Sequence, residues 1–172
     1  MGCDIVSWVE VYLPETHPWK AVLRAFPADS FERTHDNIDL VSPPFRTRNY
    51  GLFGVLAGVR NYSCCEPLAK PRGLPDDCDV PGGCLANEIE DLEGFHSYSW
   101  FLLSELLSFD YERVFWNRRI RRGKDGAALA QEGDGVHETY RNFLGQRYMD
   151  ALDIMKGLGD PDQVRVIFCF GD

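Results

Sequence analysis

The chain carries none of the short motifs that would name a reaction. No G-x-S-x-G elbow, Walker loop, H-E-x-x-H pair or H-x-H pair occurs in its 172 residues. Also missing is any run of about 18 apolar residues, so no transmembrane helix is expected. The N-terminus has no charged segment followed by an apolar one, so no signal peptide is expected. Met1-Gly2-Cys3 approaches a myristoylation signal, but Val6 stands where that signal has Ser or Thr. These absences point to a soluble, cytoplasmic protein.

No C-x2-C pair links the six cysteines. Cys3 and Cys169 fall in expected strands, Cys64 and Cys65 are adjacent, and Cys78 and Cys84 stand six apart. The four histidines are scattered singly. Neither a zinc site nor a disulfide framework fits that spacing, and no metal or cofactor is expected. Free thiols in a reducing compartment are the simpler reading. Positive charge is scarce too: 18 Lys and Arg against 27 Asp and Glu give −9, which argues against binding duplex nucleic acid.

The charge is unevenly placed. Residues 113–124 hold Arg113, Arg118, Arg119, Arg121, Arg122 and Lys124 without an acid, leaving the remainder at −15 against the total of −9. A 44% hydrophobic and 13% aromatic content is that of a folded chain, and its length fits a single domain over 1–172.

Alternation from Asp4 to Leu13 predicts a strand, with Ile5, Val9, Val11 and Leu13 opposite Trp8, Glu10 and Tyr12. Pro14 to Pro18 turns the chain, and Trp19 to Phe26 is the expected return of a hairpin. Residues 27–47 read as irregular. Asn49 is placed to cap a short helix whose core stripe is Leu52, Val55, Leu56 and Val59. Gly51, Gly54 and Gly58 form a second stripe, which implies close approach of other backbone, helix-on-sheet packing being the first explanation. Residues 62–94 read as loop, with Pro71 and Pro75 stiffening the segment that holds Arg72 and Gly73.

Trp100, Leu103, Leu106 and Leu107 recur at helical spacing, predicting a helix from about Ser99 to Phe109 with Ser97 or Ser99 as its N-cap. Its first-turn amides would suit an anion. The basic segment follows, then a flexible loop over 123–135. Tyr140, Leu144, Tyr148, Ala151 and Met155 predict a long helix from His137 to Lys156. Gln163 to Phe170 is apolar on both faces, as an interior strand should be. Together these give an α+β fold: a small, mainly antiparallel sheet of the N-terminal hairpin and the C-terminal strand, packed by about three helices.

Four pieces carry a resemblance: Cys3-Asp4-Ile5; Arg48-x-Tyr50-x-Leu52-Phe53-x-x-Leu56-Ala57-Gly58-Val59-Arg60-Asn61; Pro71-Arg72-Gly73-Leu74-Pro75; and Gly94-x-His96-Ser97-Tyr98-Ser99-Trp100. Across the first 107 residues the chain resembles a group of short proteins of bacteriophages and some bacteria that open on a Cys-Asp-Ile-His-like strand. Val6 stands where that group has histidine. The resemblance implies a small phage-type accessory protein acting in the host cytoplasm, in a setting where nucleotide immune signals are sequestered or degraded.

The residues themselves point to an anion bearing a ring. Arg48, Arg60 and Arg72 supply guanidinium forks; Asn49, Asn61, Ser97 and Ser99 supply neutral hydrogen bonds; Tyr98 and Trp100 supply flat faces; His96 stands among them. Binding of a phosphorylated, nucleotide-like molecule without turnover is the first reading. A hydrolase or phosphodiesterase would use His96 as general acid–base, Asp4 or Ser97 as its partner and Arg72 as anion stabiliser. A third reading makes Phe115, Trp116, Arg118, Arg119, Arg121 and Arg122 a surface that inhibits a host protein. Self-association into a homo-oligomer is compatible with all three.

Overall fold

The computed structural model describes residues 2–15, 17–22, 25–26, 43–46, 48–79, 94–121, 127–129 and 134–171. The fold is α+β, and the chain divides into two compact units. The first comprises Met1–Arg48, Arg72–Ser108 and Asp150–Asp172; the second comprises Asn49–Pro71 and Phe109–Met149.

The first unit is built on a four-stranded antiparallel sheet whose strands lie in the order 17–22, 4–13, 164–171, 95–102. Its strands are β1 (Asp4–Leu13), β2 (His17–Val22), β3 (Phe95–Leu102) and β8 (Val164–Gly171). The hairpin and the C-terminal strand are the ones that alternation predicts, although β2 begins at His17, earlier than expected. Val164 to Phe170 are all buried, which places β8 between β1 and β3 and explains its two apolar faces. Each of its valine, isoleucine and phenylalanine side chains contributes about 1.5–3 kcal/mol by leaving water, while Arg165 is the one charged group among them. On one face Trp8 and Ile167 are buried, with Val6, Ala21, Leu74, Cys78 and Trp100 packed against them. Val6 therefore sits in an apolar cluster.

The third partner of the sheet corrects the expected helix. Residues 95–102 form a strand, and α2 begins only at Leu103 and ends at Ser108. Phe95, Tyr98, Trp100 and Phe101 favour extended backbone, and pairing with β8 overrides the helical spacing that runs on from Trp100. Neither Ser97 nor Ser99 caps a helix. The amide of Leu102 donates instead to Glu105 Oε2 at 2.9 Å, so the carboxylate within the first turn serves that end. The expected anion-binding helix start does not form at Ser99.

In the second unit α1 spans Tyr50–Ala57. Asn49 caps it as predicted, its Oδ1 accepting from the amides of Gly51 at 3.0 Å and Leu52 at 3.2 Å. Gly58 closes it in the left-handed conformation at φ 72°, where a side chain would be strained. The close approach that the glycines predict is real, but within this unit its sources are a phenyl ring and a loop. A Cβ on Gly51 would lie 2.8 Å from the Phe143 ring, and one on Gly54 would lie 2.8 Å from Asn61 Oδ1.

The basic segment is extended over its described residues. β4 (Val114–Asn117) pairs with β7 (Val136–Thr139), and β5 (Arg119–Arg121) pairs with β6 (Ala127–Leu129). The expected flexible loop over 123–135 thus contains a strand; residues 122–126 and 130–133 lie outside the described residues. The long helix is also shorter than predicted. Residues 136–139 belong to β7, Thr139 caps α3 (Tyr140–Leu144), and α4 (Gln146–Lys156) follows a break at Gly145 (φ 80°, ψ 171°). The stripe that suggested it is nevertheless inward-facing: Tyr140, Leu144, Tyr148, Ala151 and Met155 are all buried. Around Tyr140 gather Phe109 at 5.0 Å and Phe115 at 4.4 Å between ring centroids. No helix among the described residues is long and apolar enough to cross a membrane.

Candidate functional site

Most of the side chains singled out by sequence are engaged in holding local structure. In the first unit, Arg48 lies against Asp4, with Nε donating to Oδ1 at 2.8 Å and a terminal nitrogen to Oδ2 at 2.6 Å. These bonds hold the Asp4 carboxyl below its ordinary range. A Cβ on Gly2 would collide with the same guanidinium, so glycine is what allows the fork to lie flat there.

Arg72 makes a two-pronged pair with Glu105, at 2.9 and 2.7 Å, and donates to the Trp100 carbonyl at 3.2 Å. Its guanidinium carbon lies 5.2 Å from the Trp100 ring and 4.7 Å from the Phe101 ring. The pairing lowers the Glu105 carboxyl and raises Arg72, hydrogen bonding being the largest cause of each. Ser99 is fully buried, and its Oγ accepts from the Arg72 amide at 3.2 Å. The Gly73 amide donates to the Tyr98 carbonyl at 2.8 Å, so the Pro71–Pro75 segment is fastened along β3. Trp100 is packed in the Trp8–Ile167 cluster. Tyr98 has a buried hydroxyl without a hydrogen-bond partner among the described residues, and burial raises its phenol.

His96 and Ser97 do come together: His96 Nδ1 lies 2.9 Å from Ser97 Oγ, at a bulge in β3. In the second unit Asn61 closes its own loop, with Nδ2 donating to the Cys65 carbonyl at 2.7 Å and Oδ1 accepting from the Cys65 amide at 3.2 Å. Arg60 sits in left-handed backbone at φ 48°, just past the end of α1. The ligand-binding residues proposed from sequence therefore divide between the two units, Asn49, Arg60 and Asn61 in the second and Arg48, Arg72, His96, Ser97, Tyr98, Ser99 and Trp100 in the first.

Among the aromatic and basic residues of the second unit, Phe115 is drawn inward onto Tyr140 and Phe143. Trp116 instead stacks on the exposed His137, 5.9 Å between centroids and 9° between planes, with the Arg118 guanidinium 4.5 Å from its ring. Exposed Val114 shares that side of the strand pair. Arg113 faces Tyr140 and Glu66, each at 3.4 Å.

Arg119 is placed differently. Its guanidinium carbon is 5.8 Å from the rings of both Tyr50 and Tyr62, which are 5.9 Å apart and tilted by 58°. Its Nε is buried without a hydrogen-bond partner, and among the described residues no carboxylate pairs with it. Arg48, Arg72, Arg113, Arg141 and Arg165 each have one. A guanidinium held by aromatic faces, with no counter-charge among the described residues, has the chemistry to take an anion. Tyr50 lies inside the motif Arg48–Asn61 and Tyr62 directly follows it, but nothing local marks either ring as facing residue 119.

Sequence reading also misses a network on the Trp8 face of the sheet. Arg165 donates to Glu10 Oε2 at 2.7 Å and to Asp77 Oδ1 at 2.9 Å. Glu10 Oε1 further accepts from Trp8 Nε1 at 3.1 Å and the Asp79 amide at 2.7 Å, while the Trp19 ring lies 4.0 Å from the Arg165 guanidinium carbon. These donors and acceptors satisfy one another at the buried Glu10 and Arg165, so the network clasps the segment around Asp77 and Asp79 to the sheet. Among the described residues, no three metal-binding side chains gather.

Comparison with family models, with curated proteins and with solved structures gives no match for this chain.

Proposed function

We propose that the chain is a binding protein for a phosphorylated, ring-bearing small molecule of nucleotide type, received at Tyr50, Tyr62 and Arg119. The observation that carries this reading is the Arg119 guanidinium against two tyrosine rings with no described carboxylate opposite it. A phosphate would supply the missing counter-charge, and a base would find a phenol face beside it. Arg48 and Arg72 take a lesser part than sequence suggests, because Asp4 and Glu105 already occupy their forks. The resemblance to phage and bacterial proteins makes linear and cyclic nucleotide messengers the first ligands to try, with sequestration of a host immune signal as the biological role.

Titration calorimetry against a nucleotide panel, with recovery and analysis of the ligand, tests it. Arg119→Ala should weaken binding by about tenfold to a hundredfold, the worth of a charge-assisted hydrogen bond. Arg48→Ala and Arg72→Ala should change affinity little. Absence of binding across the panel, or equal affinity for Arg119→Ala, defeats the reading; a cleaved product converts binder into enzyme.

A second reading rests on the Arg118–Trp116–His137 stack beside exposed Val114. It makes that surface a docking site for a host protein with an acidic face. Capture of one defined host protein by the native chain but not by Trp116→Ala supports it, and equal capture by both excludes it.

A further inference from the structure

In a regular strand, neighbouring side chains leave on opposite faces. His96 and Ser97 do not, and the cause is local. The register runs from His96 opposite Phe170 to Ser99 opposite Phe168, so Ser97 and Tyr98 together face Cys169 alone. Such a bulge re-aims one side chain, and bulges gather beside active sites. Ser97 accommodates it at φ 54°, in the left-handed region where glycine is the ordinary choice. The chain keeps a hydroxyl at a position whose backbone would prefer none, and that hydroxyl is brought to 2.9 Å from an imidazole nitrogen. His96 is oriented by its neighbours: its ring centroid is 6.2 Å from that of Phe170 and its Nε2 is buried, leaving Nδ1 toward the serine. Ser99, two residues on, is fully buried and committed to the Arg72 amide, so the two serines of the motif have separate roles.

We propose that Ser97 and His96 form a nucleophile–base pair that accepts small, uncharged acyl esters. The Ser97 Oγ–H proton passes to His96 Nδ1 as an Oγ–C bond forms at the ester carbonyl. The bond from that carbon to the leaving alcohol oxygen then breaks, and the imidazolium returns its proton to the alcohol. Water, deprotonated by the same nitrogen, attacks the acyl carbon, releases the carboxylic acid and restores the serine. A bulge leaves a backbone amide outside the ladder, the type of donor that an acyl oxyanion uses. An ester is favoured over a phosphoryl group because the cations identified in this unit near the motif, Arg48 and Arg72, are already paired with Asp4 and Glu105. The pair shares no residue with Tyr50, Tyr62 and Arg119, so the two proposals stand or fall separately.

The test treats the full chain with a small fluorophosphonate, which forms an Oγ–P bond and releases fluoride, and maps the adduct by peptide mass. Hydrolysis of p-nitrophenyl acetate is followed in parallel. The expected result is a single adduct on Ser97, lost in Ser97→Ala and Ser97→Gly, with labelling at least about a hundredfold slower in His96→Asn. Ser97→Gly should melt at or above the native temperature, because glycine relaxes the backbone at that position; this separates loss of the nucleophile from loss of the fold. No adduct on the folded native chain, or labelling undiminished in Ser97→Ala or His96→Asn, overturns the proposal.

Discussion

The Arg165 guanidinium lies 2.7 Å from Glu10 Oε2 across a span of 155 residues, and neither side chain retains more than a trace of exposure. Removing Glu10 takes from Arg165 its buried counter-charge and leaves it only the half-exposed Asp77. Glu10→Ala should therefore cost about 3–5 kcal/mol in urea denaturation. The double replacement Glu10→Leu with Arg165→Met should recover a large part of that loss, since two apolar groups leave no charge buried. Equal losses in the single and double variants would refute the clasp.

Glycine-to-alanine changes ordinarily stabilise a helix by about 1 kcal/mol. In α1 the sign should reverse. Alanine at 51 meets the Phe143 ring, and alanine at 54 meets the Asn61 amide that closes the 61–65 loop. Each should lower stability by about 1–3 kcal/mol in thermal denaturation.

Glu105 and Asp4 both have lowered carboxyl values, set first by their bonds to Arg72 and Arg48. A group lowered in the folded state stabilises above its unfolded pKa, and that stability is lost as pH falls through the lower, folded value. The acid limb should thus steepen from about pH 4 downward. Glu105→Gln should flatten it while costing only about 0.5–1 kcal/mol at neutral pH, because the pair is partly exposed and screened. Melting curves from pH 2 to 7 for the two proteins give the comparison.

Cys64 and Cys65 are adjacent yet face opposite environments, one exposed and the other buried. Burial pushes the Cys65 thiol up to about 11. At pH 8 its thiolate fraction is about one in a thousand. Iodoacetamide mapping should find Cys64 modified while Cys65 stays protected until denaturant is added.

The elements legible in the sequence are those whose signal is complete within a few residues. Asn49 followed by Leu52, Val55 and Leu56 contains both cap and stripe, and alternation in 4–13 together with the doubly apolar 164–170 is enough for two strands. What failed depended on partners elsewhere in the chain. Residues 95–102 look like the start of a helix until β8 lies alongside, and Val136 to Thr139 extend a helical pattern until β4 pairs with them. The candidate site divides similarly. Proximity of His96 and Ser97 is trivial in sequence, but their hydrogen bond depends on a bulge that register alone creates. Arg119 was visible as one charge in a basic run; its place against Tyr50 and Tyr62 was not.

The amides of Arg72 and Gly73 close on Ser99 Oγ and the Tyr98 carbonyl, with prolines at 71 and 75 on either side. Proline offers no N–H with which an incoming strand from another molecule could pair. At that point the edge of β3 is covered, and a strand arriving from another molecule would have to displace the segment before it could pair there.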